Sequence, residues 1–340
     1  MSDLIRAHPV SRPIGAPDRR LVRVLGVLLM LLATAVLLSL MLGAAPVPPS
    51  VAVRAMVNGS PGEPGQLIVR EMRLPRTVIA VLAGVALAAA GVCLQALIRN
   101  PLADPGLLGV NAGASCAVAC AAAAGISDPL HQVWWALAGA FLVSGLVVWL
   151  GSLSPVQLLL VGVAITAILT GITTAMTLIV PRAFDLMRGW VVGALDGRGV
   201  EVIGVTGVVV AAGLALALAS TRALAALQLG EDSAVALGVR VRRTRLLVVA
   251  SVALLAGGAT AAAGPVAFLG LLMAHLARTL VGPDPRRMMP AAVIGGPVLL
   301  LAADVIGRLI VQPAEMPAGL MVAFLGGPLL VMLALRSGVR

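Results

Sequence analysis

Residues 129–181 read Pro129-LHQVWWALAGAFLVSGLVVWLGSLSPVQLLLVGVAITAILTGITTAMTLIV-Pro181, and none of these 53 positions is Asp, Glu, Lys or Arg. A helix crosses the hydrocarbon core of a bilayer in about 20 residues. The interval is therefore long enough for two crossings, and Gly151 and Pro155 mark the break between them. A helix satisfies its own backbone hydrogen bonds without water, which is what so apolar a segment requires. The rest of the chain has the same character. Of 340 residues, 60% are hydrophobic and 11% charged, with a mean hydropathy of +1.07. Soluble domains run near half apolar and about a quarter charged. The expected fold is an all-α, polytopic transmembrane helical bundle.

Other charge-free intervals lie on both sides: Val24–Val53, Thr77–Ile98, Pro105–Ser127, Val202–Thr221, Leu246–Ala277 and Met316–Leu335. Leu246–Ala277 holds one helix and the start of a second at Gly264-Pro265, where two helix breakers act together. Met288–Gly307 is interrupted only by Asp304. The first span reads Leu21–Leu42, ended by Pro46, Pro48 and Pro49, and is too long for the core of a cleaved signal. The count is ten spans, so both termini share one side. With the termini in the cytoplasm, 16 arginines fall on cytoplasmic segments and 8 on external ones, which selects the N-in/C-in arrangement. The chain divides into cytoplasmic tails at 1–20 and 337–340 and a membrane domain at 21–336. Within that domain lie an external Pro/Gly-rich loop at 44–72, with a short surface helix near Val51–Val57, and a cytoplasmic insertion at 222–243.

The 24 basic residues are all arginine. A Walker A loop needs a lysine, so ATP driving any process here is bound by another polypeptide. The net charge of +10 follows topology rather than nucleic acid, because no basic stripe is interleaved with aromatics. Cys93, Cys116 and Cys120 lie in apolar runs with no further ligands nearby, and His8, His131 and His275 fall in separate segments. No metal site, cofactor or catalytic constellation is expected. An ion-coupled carrier would place acids at mid-membrane, whereas every acid except Asp304 lies in a loop or at a span end.

Five segments carry more than topology requires. Arg73-Leu-Pro-Arg76 stands at the outer mouth of the second span, with Pro75 read as the helix start. Arginines at a helix end commonly snorkel to headgroups; held in place, they suit bidentate capture of carboxylates. Gln95-ALIRNPLADPGLLGVNAGA-Ser115 crosses a cytoplasmic turn in which Asn100-Pro101 and Asp104-Pro105 bar helix continuation. Leu229-GEDSAVALGVRVRRT-Arg245 fits two short helices separated by Gly238, with Glu231, Asp232 and Ser233 at the first helix start. Gly264-PVAFLGLLMAHLA-Arg278 is the fourth. In the fifth, Asp304 and Arg308 are spaced to pair on one helix, with Glu315 beyond them. Small residues Gly84, Ala88 and Gly91 are spaced for close helix packing within the subunit. Thr166, Thr170 and Thr173 form a stripe on the fifth span; threonines often bond back to their own helix, and the alternative is a polar lining for a water-filled path. Gln95 is a further candidate for that lining.

In order and spacing these segments resemble the FecCD family of ABC importer permeases, and the Asn100–Ser115 and Gly264–Leu271 stretches are most similar to the ferric-enterobactin branch. The resemblance implies a type II importer permease of the bacterial cytoplasmic membrane, translocating iron(III)-siderophore complexes, with vitamin B12 or heme as the alternative cargo. It implies a second permease subunit, identical or homologous, and two cytoplasmic ATP-binding subunits meeting Glu231, Asp232, Ser233, Leu237, Gly238 and Arg240. It also implies an extracytoplasmic siderophore-binding protein docking on Arg73, Arg76 and Arg308, and a cytoplasmic gate at Asn100 and Leu102. The chain departs from the family at Ala274-His275, where proline usually precedes the histidine.

Overall fold

The computed structural model describes residues 19–43, 47–48, 50–51, 54–55, 64–151, 154–311 and 314–337. Both expected tails, apart from Arg19, Arg20 and Ser337, and much of the expected external loop with its surface helix lie outside these residues. The helices run α1 (Arg19–Met41), α2 (Leu74–Ile98), α3 (Val110–Ala123), α4 (Pro129–Leu150), α5 (Pro155–Ile179), α6 (Pro181–Trp190), α7 (Val200–Leu227), α8 (Glu231–Ala236), α9 (Val241–Ala263), α10 (Leu269–Val281), α11 (Pro285–Ile310) and α12 (Ala318–Ser337). Seven are long and apolar enough to cross a membrane, counting α2 with the turns that lead into it as Gly65–Ile98; the shorter apolar helices are α3, α10 and the Ala318–Pro328 part of α12. Together they match the ten expected spans.

Local chemistry sets the helix starts. Pro129, Pro155, Pro181 and Pro285 each occupy the first turn of a helix, where their missing N–H costs nothing. The Asp128 carboxylate accepts from the His131 N–H at 3.0 Å to cap α4, and Asp284 accepts from the Arg286 N–H at 2.9 Å to cap α11. Asp128 is exposed, and these bonds from His131 hold its carboxyl below the usual range. The amphipathic α6 was not expected, because Arg182, Asp185 and Arg188 interrupt its ten residues. It buries Ala183, Met187 and Trp190 on one face.

The second span departs from the expected plan. Pro75 does not begin a helix. Pro64–Leu67 is already helical, and a π-helical turn at Ile68–Arg73 runs straight into α2. The Leu74 N–H donates to the Val69 carbonyl five residues back, and this wider turn makes room for a proline ring that an α-helix would force against the preceding turn. The expected loop at 44–72 therefore ends by residue 64.

α2 is the centre of the bundle. It packs against α11, α9, α10 and α7, and nearly every residue from Ile79 to Leu97 is buried or nearly so. Its small residues allow this. A Cβ on Gly84 would lie 2.6 Å from Pro297 of α11, and one on Gly91 would lie 2.1 Å from the Gly270 carbonyl oxygen of α10. The Gly84, Ala88 and Gly91 spacing thus serves packing within this subunit. α5 is at the opposite extreme. Val156, Leu160, Ile168, Leu178 and Ile179 are all exposed, so most of this helix faces outward.

Candidate functional site

At the outer end of the bundle, Asp304 of α11 is fully buried between two arginines. Its Oδ1 accepts from Arg76 Nε at 3.0 Å and Nη2 at 2.8 Å, and its Oδ2 accepts from Arg308 Nη2 at 2.5 Å. Arg76 also pairs with Glu315. Arg308 Nη1 donates to the carbonyls of Ser39 and Leu42, both at 3.0 Å, and Arg73 Nη1 donates to those of Leu40 and Met41 at 2.9 and 2.8 Å. These carbonyls are the orphan acceptors at the C-terminus of α1, and a guanidinium suits the partial negative charge there. The network thus ties α1, α2 and α11 together. It borders a cavity of about 420 Å³ that Glu71, Asp196 and Arg198 also line. Burial pushes the Arg198 guanidinium below its usual range, with Asp196 acting in the opposite direction.

A second feature is a groove of about 370 Å³ between α3 and α5. Thr166, Thr170, Thr173, Thr174 and Thr177 line one wall, and Asn111 and Ser115 the other. The Thr173 hydroxyl donates to Leu169 O and that of Thr177 to Thr174 O, both at 2.8 Å. The Thr166 oxygen is buried with no hydrogen-bond partner among the described residues. Asn111 Oδ1 accepts from the Thr260 hydroxyl at 2.8 Å, which fixes α3 against α9. Polar side chains punctuate a groove whose exposed lining is mostly apolar, and no charged side chain reaches it.

At the cytoplasmic end, α2 stops at Arg99, which is left-handed with φ 56°. Asn100 Oδ1 accepts from the Leu102 N–H at 2.9 Å, folding the turn around Pro101. Leu102 is 52% exposed, so its apolar side chain is presented rather than packed. Asp104 accepts from the Gly106 N–H at 2.8 Å, and its burial pushes the carboxyl above its usual range. The turn meets the long cytoplasmic insertion at two points. Arg99 pairs with Glu231 at 3.5 Å, and Gln228 Nε2 donates to the Ala96 carbonyl at 2.9 Å.

Residues 30–336 match the FecCD transport family. The chain belongs to the FecCD transport family. The ferric enterobactin transport system permease protein FepD of Escherichia coli (strain K12) is 46% identical over 96% of this chain and 97% of its own length. The hemin transport system permease protein HmuU of Yersinia pestis is 38% identical over 92% and 95%. The Fe(3+)-citrate import system permease protein YfmD of Bacillus subtilis (strain 168) is 36% identical over 82% and 84%. Among solved structures, a metal-chelate type ABC transporter in an inward-facing conformation gives a TM-score of 0.80 at 25% identity, covering 92% of this chain and 99% of that one. Like these relatives, the chain is a multi-pass membrane protein.

On this FecCD scaffold the residues singled out in the sequence fall unevenly. Thr166, Thr170 and Thr173 share the groove, and Asn100 and Leu102 share the cytoplasmic turn. Gln95 is not in the groove. It is fully buried, and its Nε2 donates to the Leu271 carbonyl at 3.2 Å, because α2 is covered on every side. Arg73 and Arg308 do not stand free at the mouth either: they are 5% and 2% exposed, and Nη1 of Arg73 and both Nη atoms of Arg308 engage groups of this chain. Leu237, Gly238 and Arg240 are exposed, but the insertion holds one short helix rather than two. After Gly238 the chain enters the long α9 directly. Glu231, Asp232 and Ser233 sit in the first turn of α8 without capping it by a side chain, since Gly230 is the N-cap. Glu231 instead holds Arg99 and Arg245. Ala274 lies in an unbroken α10, where the proline usual in the family would remove a backbone donor.

Sequence reasoning did not assign Asn111 or Ser115 to the groove, nor Arg198 to the outer cavity. Asn111 and Ser115 are spaced to share a helix face, which was a usable signal. Arg198 offered none, since only tertiary packing brings its loop to the network.

Proposed function

We propose that this chain is the membrane-spanning permease subunit of an ABC importer that carries iron(III)-siderophore complexes across the bacterial cytoplasmic membrane. The observation that carries this reading is the groove between α3 and α5: mostly apolar with scattered hydroxyls, uncharged, and on the most outward-facing helix of the bundle. Such a wall can wet and guide a bulky chelate without holding it by charge. A second permease copy or homologue facing α5 would close the groove into a path. Ferric catecholates come first as cargo, because the relative named for ferric enterobactin shares more of this sequence than those named for hemin or citrate.

ATP is bound by two separate cytoplasmic subunits, which press on the α8 tip from Glu231, Asp232 and Ser233 to Leu237, Gly238 and Arg240. The Glu231–Arg99 and Gln228–Ala96 contacts support transmission of that movement to the turn at Asn100 and Leu102. Outside, an extracytoplasmic siderophore-binding protein docks over the arginine cavity. Its carboxylates compete with the part-exposed Glu315 for Arg76, while Arg73 and Arg308 hold the end of α1 that shapes the rim. The test is uptake of radiolabelled ferric enterobactin into proteoliposomes holding the permease, its ATP-binding subunits and the binding protein. ATP-dependent accumulation is expected. Accumulation driven by a proton gradient without the ATP-binding subunits would assign the chain to ion-coupled carriers instead.

Leu102 gives a narrower prediction. An apolar side chain exposed at the path's cytoplasmic end can block it by excluding water. In liposomes loaded with a small fluorescent solute, Leu102→Ala is expected to raise leakage without ATP by about an order of magnitude, an effect equivalent to about 1.4 kcal/mol. Equal retention by wild type and variant, with the closed state verified by crosslinking across the turn, removes Leu102 from the gate.

A further inference from the structure

The ends of α7, α9 and α11 on the cytoplasmic side enclose a groove of about 530 Å³, whose rim at Leu237, Gly238 and Arg240 adjoins the surface proposed above for the ATP-binding subunits. Arg222 lies five residues before the end of α7, Arg240 and Arg243 stand at the start of α9, and Arg286 lies in the first turn of α11. All four are exposed. None of these side chains has a hydrogen bond or ion pair among the described residues, and no acid lines the groove. By contrast, Arg99 and Arg245 on the same side are both engaged by Glu231. Three of the four arginines also sit at helix N-termini. The partial positive charge of a helix start adds to a guanidinium rather than offsetting it. The groove therefore concentrates positive potential that this chain does not neutralise.

The apolar surroundings indicate what neutralises it. Leu218 lies four residues before Arg222 and Leu247 four residues after Arg243, so each pair shares a helix face. Both leucines are exposed, at 51% and 37%. Each guanidinium thus stands at the cytoplasmic end of an apolar stripe on a membrane-crossing helix. We propose that the groove holds an anionic phospholipid of the cytoplasmic leaflet, its headgroup phosphate on Arg222, Arg243 and Arg286 and its acyl chains along Leu218 and Leu247. Guanidinium forks match phosphate oxygens in pairs, and basic pockets between spans on this side suit acidic headgroups. A zwitterionic lipid brings a cation into the same cluster and loses that advantage. Leu237 and Gly238 form part of the groove wall, so the bound lipid would brace the turn on which the α8 tip stands. The inference rests on the orientation of the bundle proposed above, not on its cargo.

The full chain in nanodiscs of phosphatidylcholine containing a minor fraction of phosphatidylglycerol tests this by native mass spectrometry. Wild type is expected to retain phosphatidylglycerol selectively. Arg222→Gln/Arg243→Gln is expected to lose that selectivity roughly 25-fold, about fivefold for each charge. Arg286→Gln alone is expected to lose about fivefold, so the proposal remains testable if the double variant does not fold. Unchanged selectivity in Arg286→Gln or in a folded double variant overturns the proposal. Full displacement of the lipid by millimolar inorganic phosphate also overturns it, since the acyl chains then contribute nothing. So does a third outcome: lipid retention unchanged while the double variant fails to bind the ATP-binding subunits in pure phosphatidylcholine, which assigns the arginines to a protein partner.

Discussion

Asp304→Ala is expected to leave little folded protein in the membrane. The carboxylate is fully buried and accepts three hydrogen bonds from Arg76 and Arg308. Arg308 is 2% exposed, so without Asp304 its charge remains buried with only Ser39 of α1 and Leu42 just beyond it as partners. Breaking a buried pair by removing one member costs about 3–5 kcal/mol, a large share of the stability of a typical domain. Asp304→Asn keeps the shape and loses the charge, so it is expected to fall between wild type and Asp304→Ala. Thermal stability in detergent, followed by size-exclusion chromatography, gives the ranking. A midpoint for Asp304→Ala within a degree or two of wild type would show that the network does not hold α1 to α11.

Gly91→Val is expected to be nearly as damaging, for a steric reason. Its Cβ would lie 2.1 Å from the Gly270 carbonyl oxygen, so α2 and α10 must separate by more than an ångström. Overpacking costs about 1–3 kcal/mol. The separation also breaks the bond from Gln95 to the Leu271 carbonyl one turn further on, and a buried polar group left without a partner costs about 1–3 kcal/mol. Gly145→Val is the control. Gly145 is exposed on α4 with nothing within 4 Å of a built Cβ, so the change should be close to neutral. Equal stability of Gly91→Val and Gly145→Val would mean that this crossing has slack.

Arg73 and Arg308 show where sequence reading ran out. Their place at the outer end was legible from the charge pattern, and the Asp304–Arg308 pair from its spacing. Their engagement with four carbonyls at the end of α1 and just past it was not, because those partners lie more than 30 residues away and belong to the backbone, which leaves no mark on residue type. Gln95 was misread for a related reason. A glutamine in an apolar run looks the same whether it faces a path or bonds a neighbouring carbonyl. Helical periodicity alone places the threonines on one face of α5, where they border the groove.

The number of spans and most of the breaks between them followed from sequence alone, because a bilayer imposes a length and an intolerance of charge, and each acts residue by residue. The family also was legible, because the Asn100–Ser115 stretch combines prolines and glycines whose backbone demands are local. What tertiary structure alone decided was which polar groups consume one another. Arg76 and Arg308 meet at Asp304, Glu231 joins two arginines, and Arg222, Arg240, Arg243 and Arg286 are left over among the described residues. An arginine's charge is written in the sequence, but whether a partner stands within 3 Å depends on how helices remote along the chain pack.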